Sequence, residues 1–244
     1  MKMKWALLSD VHGNLEALQA VIEDLRREGA ERIAFLGDAV GYGANPNECL
    51  QILRELTELM VAGNHDYGAV DLTDVSYFNS AAKTAVLWTG RQLSEESREF
   101  LCRLYLFHQV ESITFVHATP HEPDRWNYIF TVPEAEKGFR AMEGELAFIG
   151  HSHSPLILAQ KEGRRITASE KEEVVLQTGV RYIINVGSVG QPRDGNPLAA
   201  YGLYDEQSRK YNLRRVPYDI QTAQKKIIRA GLPPSLAQRL SRGA

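Results

Sequence analysis

Short apolar runs alternate with helix-spaced apolar positions through the first two-thirds of the chain. Residues 5–8 form the first run. Leu15, Leu18, Val21, Ile22 and Leu25 then recur at the spacing of an amphipathic helix, with Asn14 in the N-cap place. Residues 33–36 are the second run, and Asn45-Pro46 opens a second helix through Leu50 and Leu53. Residues 59–62, 113–116 and 146–149 continue the series. Between Asp66 and Arg103, Tyr77, Phe78, Val86, Leu87 and Trp88 predict a long helical insertion. This alternation predicts a parallel or mixed sheet covered by helices. After Gly150 the chain turns strand-rich: residues 156–159 and 164–168 flank a hairpin turn at Lys161-Glu162-Gly163. Strands follow at 174–176, 182–186, 199–204 and 211–216, then helices at 220–230 and 234–240. No repeat or linker divides the chain, so one domain over residues 1–244 with two packed sheets is expected.

Composition adds little beyond class. With 244 residues, 43% hydrophobic and 24% charged, the chain is long enough for a sizeable core. No apolar run approaches the ~20 residues of a membrane span. The start lacks a signal peptide's apolar segment, so a cytoplasmic protein is expected. Cys49 and Cys102 sit beside Leu50 and Leu101 in helix-like segments and are expected to be buried as small apolar residues. The net charge of −3 is uneven, because residues 209–244 hold nine Lys/Arg and only Asp219 among acids. A solvated basic face explains this excess, with attraction of phosphorylated partners as the alternative. Nothing in the charge demands nucleic acid.

The chemistry lies at the ends of the runs. Residues 5–8 lead into Asp10 and His12, and 33–36 into Gly37-Asp38. Residues 59–62 lead into Gly63-Asn64-His65-Asp66, 113–116 into His117, and 146–149 into Gly150-His151-Ser152-His153. Five of the seven histidines occupy these places. Ligands of α/β sheets gather outside the carboxyl ends of strands, so the five ends are expected to converge on one crevice. An oxygen and imidazole donor set without cysteine argues for a catalytic metal site, suited to Mn, Fe, Zn, Ni or Co, over a structural zinc knot.

These five motifs, in this order, resemble those of the calcineurin-like metallophosphoesterase superfamily. The run Asn185-Val186-Gly187-Ser188-Val189-Gly190-Gln191-Pro192-Arg193 resembles its small bacterial phosphodiesterase branch. The resemblance implies a four-layer α/β/β/α sandwich with two packed mixed sheets and two divalent metal ions, Mn²⁺ favoured. It implies that Asp10, His12 and His153 hold one metal, that Asn64, His117 and His151 hold the other, and that Asp38 bridges them. His65 would contact the substrate phosphate and protonate or stabilise the leaving oxygen. The implied function is hydrolysis of phosphodiesters or small phosphorylated metabolites by a metal-bridging hydroxide. The bridging role suits Asp38 because two carboxylate oxygens can serve two cations.

Some positions depart from the family pattern. Protein phosphatases and symmetrical dinucleoside-tetraphosphate hydrolases of the superfamily carry an arginine where this chain has Tyr42, so the bidentate clamp for a dianionic phosphate is missing from that loop. Gly41 stands where the protein phosphatases place the aspartate that orients the motif histidine. Both changes favour diesters over a phosphomonoesterase or protein phosphatase. Residues 187–195 can cradle phosphate with backbone N–H groups or simply turn the chain, and Arg193 is the substrate-binding side chain expected there. Trp126, Tyr128, Phe130, Tyr77 and Phe78 are expected in packing, with a pocket wall as the alternative. His108 and His121 are expected at the surface. A non-catalytic scaffold and a DNA-end nuclease are competing functions, weakened by the intact ligand set and by the acidic first 208 residues.

Overall fold

The first strand, β1 (Lys4–Leu8), is buried on both faces, which explains its unbroken apolar run. Trp5 and Leu7 point into a core with Phe115, Phe148 and Ile184, while Ala6 and Leu8 point the other way, toward Leu18, Val21 and Leu50. The computed structural model describes residues 3–244. After β1 come α1 (Leu15–Arg27), β2 (Arg32–Phe35), α2 (Pro46–Leu56), α3 (Asn64–Ala69), α4 (Ser80–Gln92) and α5 (Glu95–Cys102). Next are β3 (Phe107–Val110), β4 (Ile113–Val116), α6 (Val132–Ala141), β5 (Leu146–Ile149), β6 (Leu156–Lys161), β7 (Thr167–Ser169) and β8 (Glu173–Val175). The chain closes with β9 (Val180–Asn185), β10 (Ala199–Asp205), β11 (Lys210–Val216), α7 (Ile220–Arg229) and α8 (Pro234–Leu240).

Two mixed sheets face each other, one in the order β2-β1-β10-β11-β8 and the other β3-β4-β5-β9-β6-β7. The pairs β1–β2, β4–β5 and β5–β9 are parallel, so these strands deliver their carboxyl ends to the same edge. Helices α1 and α2 cover the outer face of the first sheet. On the outer face of the second sheet, Ala135, Phe139 and Met142 pack from α6 and its C-cap against Val116, Ala147 and Ile183. The four-layer sandwich is therefore present. Among the described residues no helix is long and apolar enough to cross a membrane.

Several local expectations change. Residues 59–62 make only isolated bridges, Phe35 to Met60 and Val61 to Tyr105, because the segment is flanked by short connections and never pairs over a full strand. The insertion divides into α3, α4 and α5. Strand β3 and helix α6, unanticipated in the sequence, cover β4 and the outer face of the second sheet. Cys49 is buried as expected, but Cys102 is exposed. It ends α5 on the face opposite the core, whose place Leu101 takes. Half-buried His108 is anchored to the Met60 carbonyl at 3.1 Å.

The basic tail is largely neutralised within the fold. Arg209 pairs with Glu145 at 3.4 Å and Lys210 with Glu173 at 2.8 Å. Arg214 pairs with Asp24 at 3.1 Å, Arg215 with Asp194, and Lys226 with Glu16. Such partly exposed pairs contribute little stability individually, about 0–1 kcal/mol. They do account for most of the charge asymmetry without a partner molecule.

Candidate metal centre

Every expected ligand follows a segment that ends at one edge of the sandwich. Asp10 and His12 follow β1, Asp38 follows β2, Asn64 and His65 open α3, His117 follows β4, and His151 and His153 follow β5. Backbone bonds lock neighbouring ends together: the Asp10 and His12 amides donate to the Gly37 and Asp38 carbonyls, both at 2.9 Å. The Gly150 amide donates to the His117 carbonyl at 2.8 Å. The His151 amide donates to Asp10 Oδ2 at 3.1 Å, which joins the ends of the two sheets.

The backbone is strained where the ligands sit. Asp10 (φ +55°), His12 (+51°), Asp38 (+59°), His151 (+66°) and His153 (+59°) all occupy the left-handed region, as does Tyr42 (+56°). For non-glycine residues this costs on the order of 1 kcal/mol or more each and persists only where the surroundings impose it. The amide bonds above impose it, and the result is that short side chains turn back toward one point.

What meets there is a set of acceptors. The Nδ1 atoms of His12, His117 and His153 lie 2.9, 2.7 and 2.6 Å from the carbonyls of Val40, Leu36 and Gln191. A carbonyl only accepts, so each Nδ1 carries a hydrogen, and in the neutral ring Nε2 presents a lone pair. Yet His12 Nε2 is 3.1 Å from His153 Nε2, and both face Asp10 Oδ1, at 3.7 and 3.2 Å. On the other side, His12 and His117 Nε2 lie 3.5 and 3.4 Å from Asp38 Oδ2. His151 Nδ1 is 3.2 Å from His117 Nε2. Among the described residues, Asp10 Oδ1, Asn64 Oδ1 and His151 Nε2 are buried without a hydrogen-bond partner. Facing lone pairs and carboxylates, removed from water, repel one another unless positive charge sits between them. The donors fall into the groups Asp10–His12–His153 and Asp38–His117–His151, linked by His12–Asp38–His65, with ligand atoms in each group within 4.8 Å of one another. This set fits divalent cations that accept imidazole and oxygen.

Protonation follows the same geometry. Burial opposes charge on His151 and His153, which are pushed down to about 3 and about 4. Burial also opposes charge on His117, but Asp38 and Asp10 outweigh it and raise that group to about 9. For Asp10 and Asp38 the burial penalty is overcome by the surrounding imidazoles, so both stay well below the usual carboxylate range. The protein alone therefore stores a proton where a cation would supply the charge.

Asp38 is tethered through one oxygen and presents the other to the centre. Its Oδ1 accepts the His65 amide at 2.8 Å, leaving Oδ2 alone between His12 and His117. Gly63 makes this approach possible, since a Cβ there would sit 2.0 Å from Asp38 Oδ1. Asp66, given no role by the sequence reading, holds the two loops together. It accepts the amides of Asp38 at 2.7 Å, Gly63 at 3.0 Å and Val40 at 3.2 Å. Burial and the Asp38 charge raise it to about 7. Its signal was an acid three residues after the N-cap of α3.

His65 is placed by packing. Its Nδ1 has no hydrogen-bond partner, and its ring lies 4.4 Å from Tyr42, 4.9 Å from His12 and 5.0 Å from Phe78. A Cβ at Gly41 (φ +90°) would come within 2.5 Å of that Nδ1, so no orienting acid can occupy position 41. Tyr42, noted in the sequence only as a missing arginine, is a wall of the centre, 4.6 Å from the His12 ring.

The 187–195 loop turns and buttresses the chain. Its amides are spent on the protein: Gly187 on Asn185, Val189 on Ser9, Gly190 on Asp10 and Arg193 on His153. This leaves no row of free N–H groups for a phosphate. Arg193 itself lies over Tyr42, its guanidinium carbon 5.5 Å from the ring. Of the aromatic residues expected in packing, Phe78 does pack against the core, and with Tyr77, Trp126 and Tyr128 it also lines an open cleft of about 550 Å³ above Asn64, His65 and His151. Tyr77 is 91% exposed and Phe130 73% exposed. Tyr128 stacks on His151 at 4.1 Å and Phe130 on Tyr128 at 4.9 Å, while Trp126 donates to Thr73 across the cleft at 3.1 Å.

Comparison with known proteins agrees with this architecture. Residues 3–209 match the calcineurin-like phosphoesterase superfamily domain. An uncharacterized protein of Methanocaldococcus jannaschii is 42% identical over 100% of this chain and 99% of its own. A metallophosphoesterase from Sphaerobacter thermophilus superimposes with a TM-score of 0.88 at 37% identity, covering 100% of both chains. A symmetrical bis(5′-nucleosyl)-tetraphosphatase of Coxiella burnetii is 30% identical over 73% of this chain, a match that spans 60% of the tetraphosphatase.

Proposed function

Because the chain belongs to the calcineurin-like phosphoesterase superfamily, we propose that it hydrolyses phosphodiesters or small phosphorylated metabolites at a pair of divalent cations, Mn²⁺ favoured. The observation that carries this reading is the buried convergence of imidazoles and carboxylates, in which His12 and His153 turn their Nε2 atoms on each other and Asp10 Oδ1 has no hydrogen-bond partner among the described residues. In it, Asp10, His12 and His153 would hold one cation, Asn64, His117 and His151 the other, and Asp38 would be shared between them. Two such cations act as Lewis acids on phosphate oxygens and lower the pKa of water toward neutrality.

The remaining residues position and protonate. Val40, Leu36 and Gln191 fix the tautomers of three imidazoles through their carbonyls, so the ligands need no reorganisation. Burial holds His65 well below the usual imidazole range, so near neutral pH its ring is uncharged and would meet a phosphate or leaving oxygen through a neutral N–H. The cleft walled by Tyr77, Phe78, Trp126 and Tyr128 has room for a small organic group. Tyr42 in place of an arginine leaves a dianionic monoester without its clamp, which favours the singly charged diester. The two free cysteines suit the cytoplasm.

A scaffold has no need of this strained set of acceptors. Matched aryl phosphodiester, aryl phosphomonoester and single-stranded DNA assays in parallel test the proposal. Activity should vanish on chelation, return with Mn²⁺ and favour the diester. Full turnover by verified metal-free protein would overturn it.

A further inference from the structure

Beside the centre lie two guanidinium groups without a carboxylate. Arg193, after β9, donates to Gln191 Oε1 through Nε at 3.3 Å and Nη2 at 2.8 Å. Arg239, on α8, donates to the same oxygen through Nη1 at 3.2 Å. One neutral amide oxygen on a residue 1% exposed thus anchors two positive charges side by side. Among the described residues neither arginine forms an ion pair. Arg209, Lys210, Arg214, Arg215 and Lys226 of the same basic tail are all paired with acids.

Their location is defined from both sides. The Arg193 amide donates to the His153 carbonyl at 3.2 Å, and its guanidinium lies over the face of Tyr42. The Tyr42 ring also contacts His12 and His65, at 4.6 and 4.4 Å. Arg239 is brought in by Leu236 and Leu240 of α8, which pack with Tyr42 in one apolar cluster. The fold therefore carries a residue from the extreme end of the chain to the Asp10–His12–His153 side of the centre.

We propose that Arg193 and Arg239 form an anion subsite for a second, non-scissile phosphoryl group of the substrate. Like charges held together in a partly buried setting repel, and an anion relieves that repulsion. Each guanidinium has about five N–H donors, and Gln191 takes three between the two groups. A carboxylate is saturated by one such fork, whereas a phosphoryl group has the charge and the acceptor oxygens for two. Burial and the Arg193 charge both press against the positive charge of Arg239. The word substrate rests on the phosphoesterase reading, while the binding of the anion does not.

Titration calorimetry of chelator-treated full-length protein with inorganic phosphate and inorganic pyrophosphate tests the subsite apart from catalysis. Arg239→Gln should weaken pyrophosphate binding by about tenfold or more, and Arg239→Lys by about threefold, because a point charge keeps the attraction and loses the fork. A purely structural Arg239 would lower the melting temperature of Arg239→Gln and leave its anion affinity intact, which would overturn the proposal. Should Arg239→Gln fail to fold, phenylglyoxal labelling of the unmutated protein decides. Pyrophosphate should protect Arg193 and Arg239 but not exposed Arg229, and equal labelling with and without it overturns the subsite. An inactive protein that binds pyrophosphate through Arg239 would discard the hydrolase reading and leave the subsite. An active one that does not would do the reverse.

Discussion

The floor and the rim of the cleft are built on opposite terms. On the floor, Asp10, His12, Asp38, His117 and His153 are at most 2% exposed, and four of them are held at positive φ by amides from neighbouring strand ends. Each imidazole there has its tautomer set by a carbonyl. On the rim, Tyr77, Tyr128 and Phe130 are exposed and make few fixed contacts beyond ring stacking and the Trp126–Thr73 bond. The difference separates two jobs. A centre that must hold charge at fixed positions needs an over-determined backbone, whereas a wall that meets a ligand's organic part needs accessible apolar area and tolerates slack.

That contrast can be broken most severely at Asp38. Asp38→Ala should reduce activity by about 10³-fold or more and lower bound metal, because the Asp38–His117–His151 and His12–Asp38–His65 groups both lose their carboxylate. Elemental analysis beside a rate measurement checks it, and full metal content in the variant would contradict the floor's layout. His65→Ala comes next. It should keep its metal, since the motif ligand is Asn64, and slow by about 10²–10⁴-fold if the imidazole is a general acid. The loss should shrink for nitrophenolate, which departs without a proton, and equal slowing of good and poor leaving groups would reassign His65 to phosphate binding.

Asp66→Asn probes the clasp beneath the floor. An amide offers one acceptor oxygen where the carboxylate serves three backbone N–H groups. Leaving buried donors unpaired costs about 1–3 kcal/mol, which at this size lowers the melting temperature by roughly 2–4 °C per kcal/mol. Calorimetric melts of both proteins measure it, and an unchanged midpoint would show that water replaces the lost acceptor. The smallest effect belongs to the rim. Tyr77→Ala should leave the melting temperature within about 1 °C, as surface changes usually do, and raise KM for aryl esters by about two- to fivefold through lost stacking. A large fall in kcat instead would move Tyr77 from the wall into the reaction.

Much of the floor is legible in the sequence. β1, β2, β4 and β5 are buried on both faces or nearly so, and they announce themselves as apolar runs, each with its polar residue at the carboxyl end. The helix starts at Asn14 and Asn45-Pro46 were equally plain, because capping and proline chemistry act over a few residues. β3 was not, since an edge strand with alternating exposure carries too little apolar signal in four residues. Cys102 was misplaced because neighbouring residues on a helix point in different directions, and only packing tells which one meets the core.

The sequence by itself determined the donor types, their order and the strand ends that present them, because hydrophobic periodicity and local backbone chemistry are short-range. Only the tertiary structure decided which lone pairs face one another, that Asp38 offers a single free oxygen and that Asp66 clasps two loops. It alone brought Arg239 to Arg193 and turned the aromatic residues outward into a wall. Those facts depend on contacts between residues far apart in the chain, 48 positions for Arg239 and Gln191. Such contacts are fixed by how the two sheets and the final helices pack, which no local pattern records.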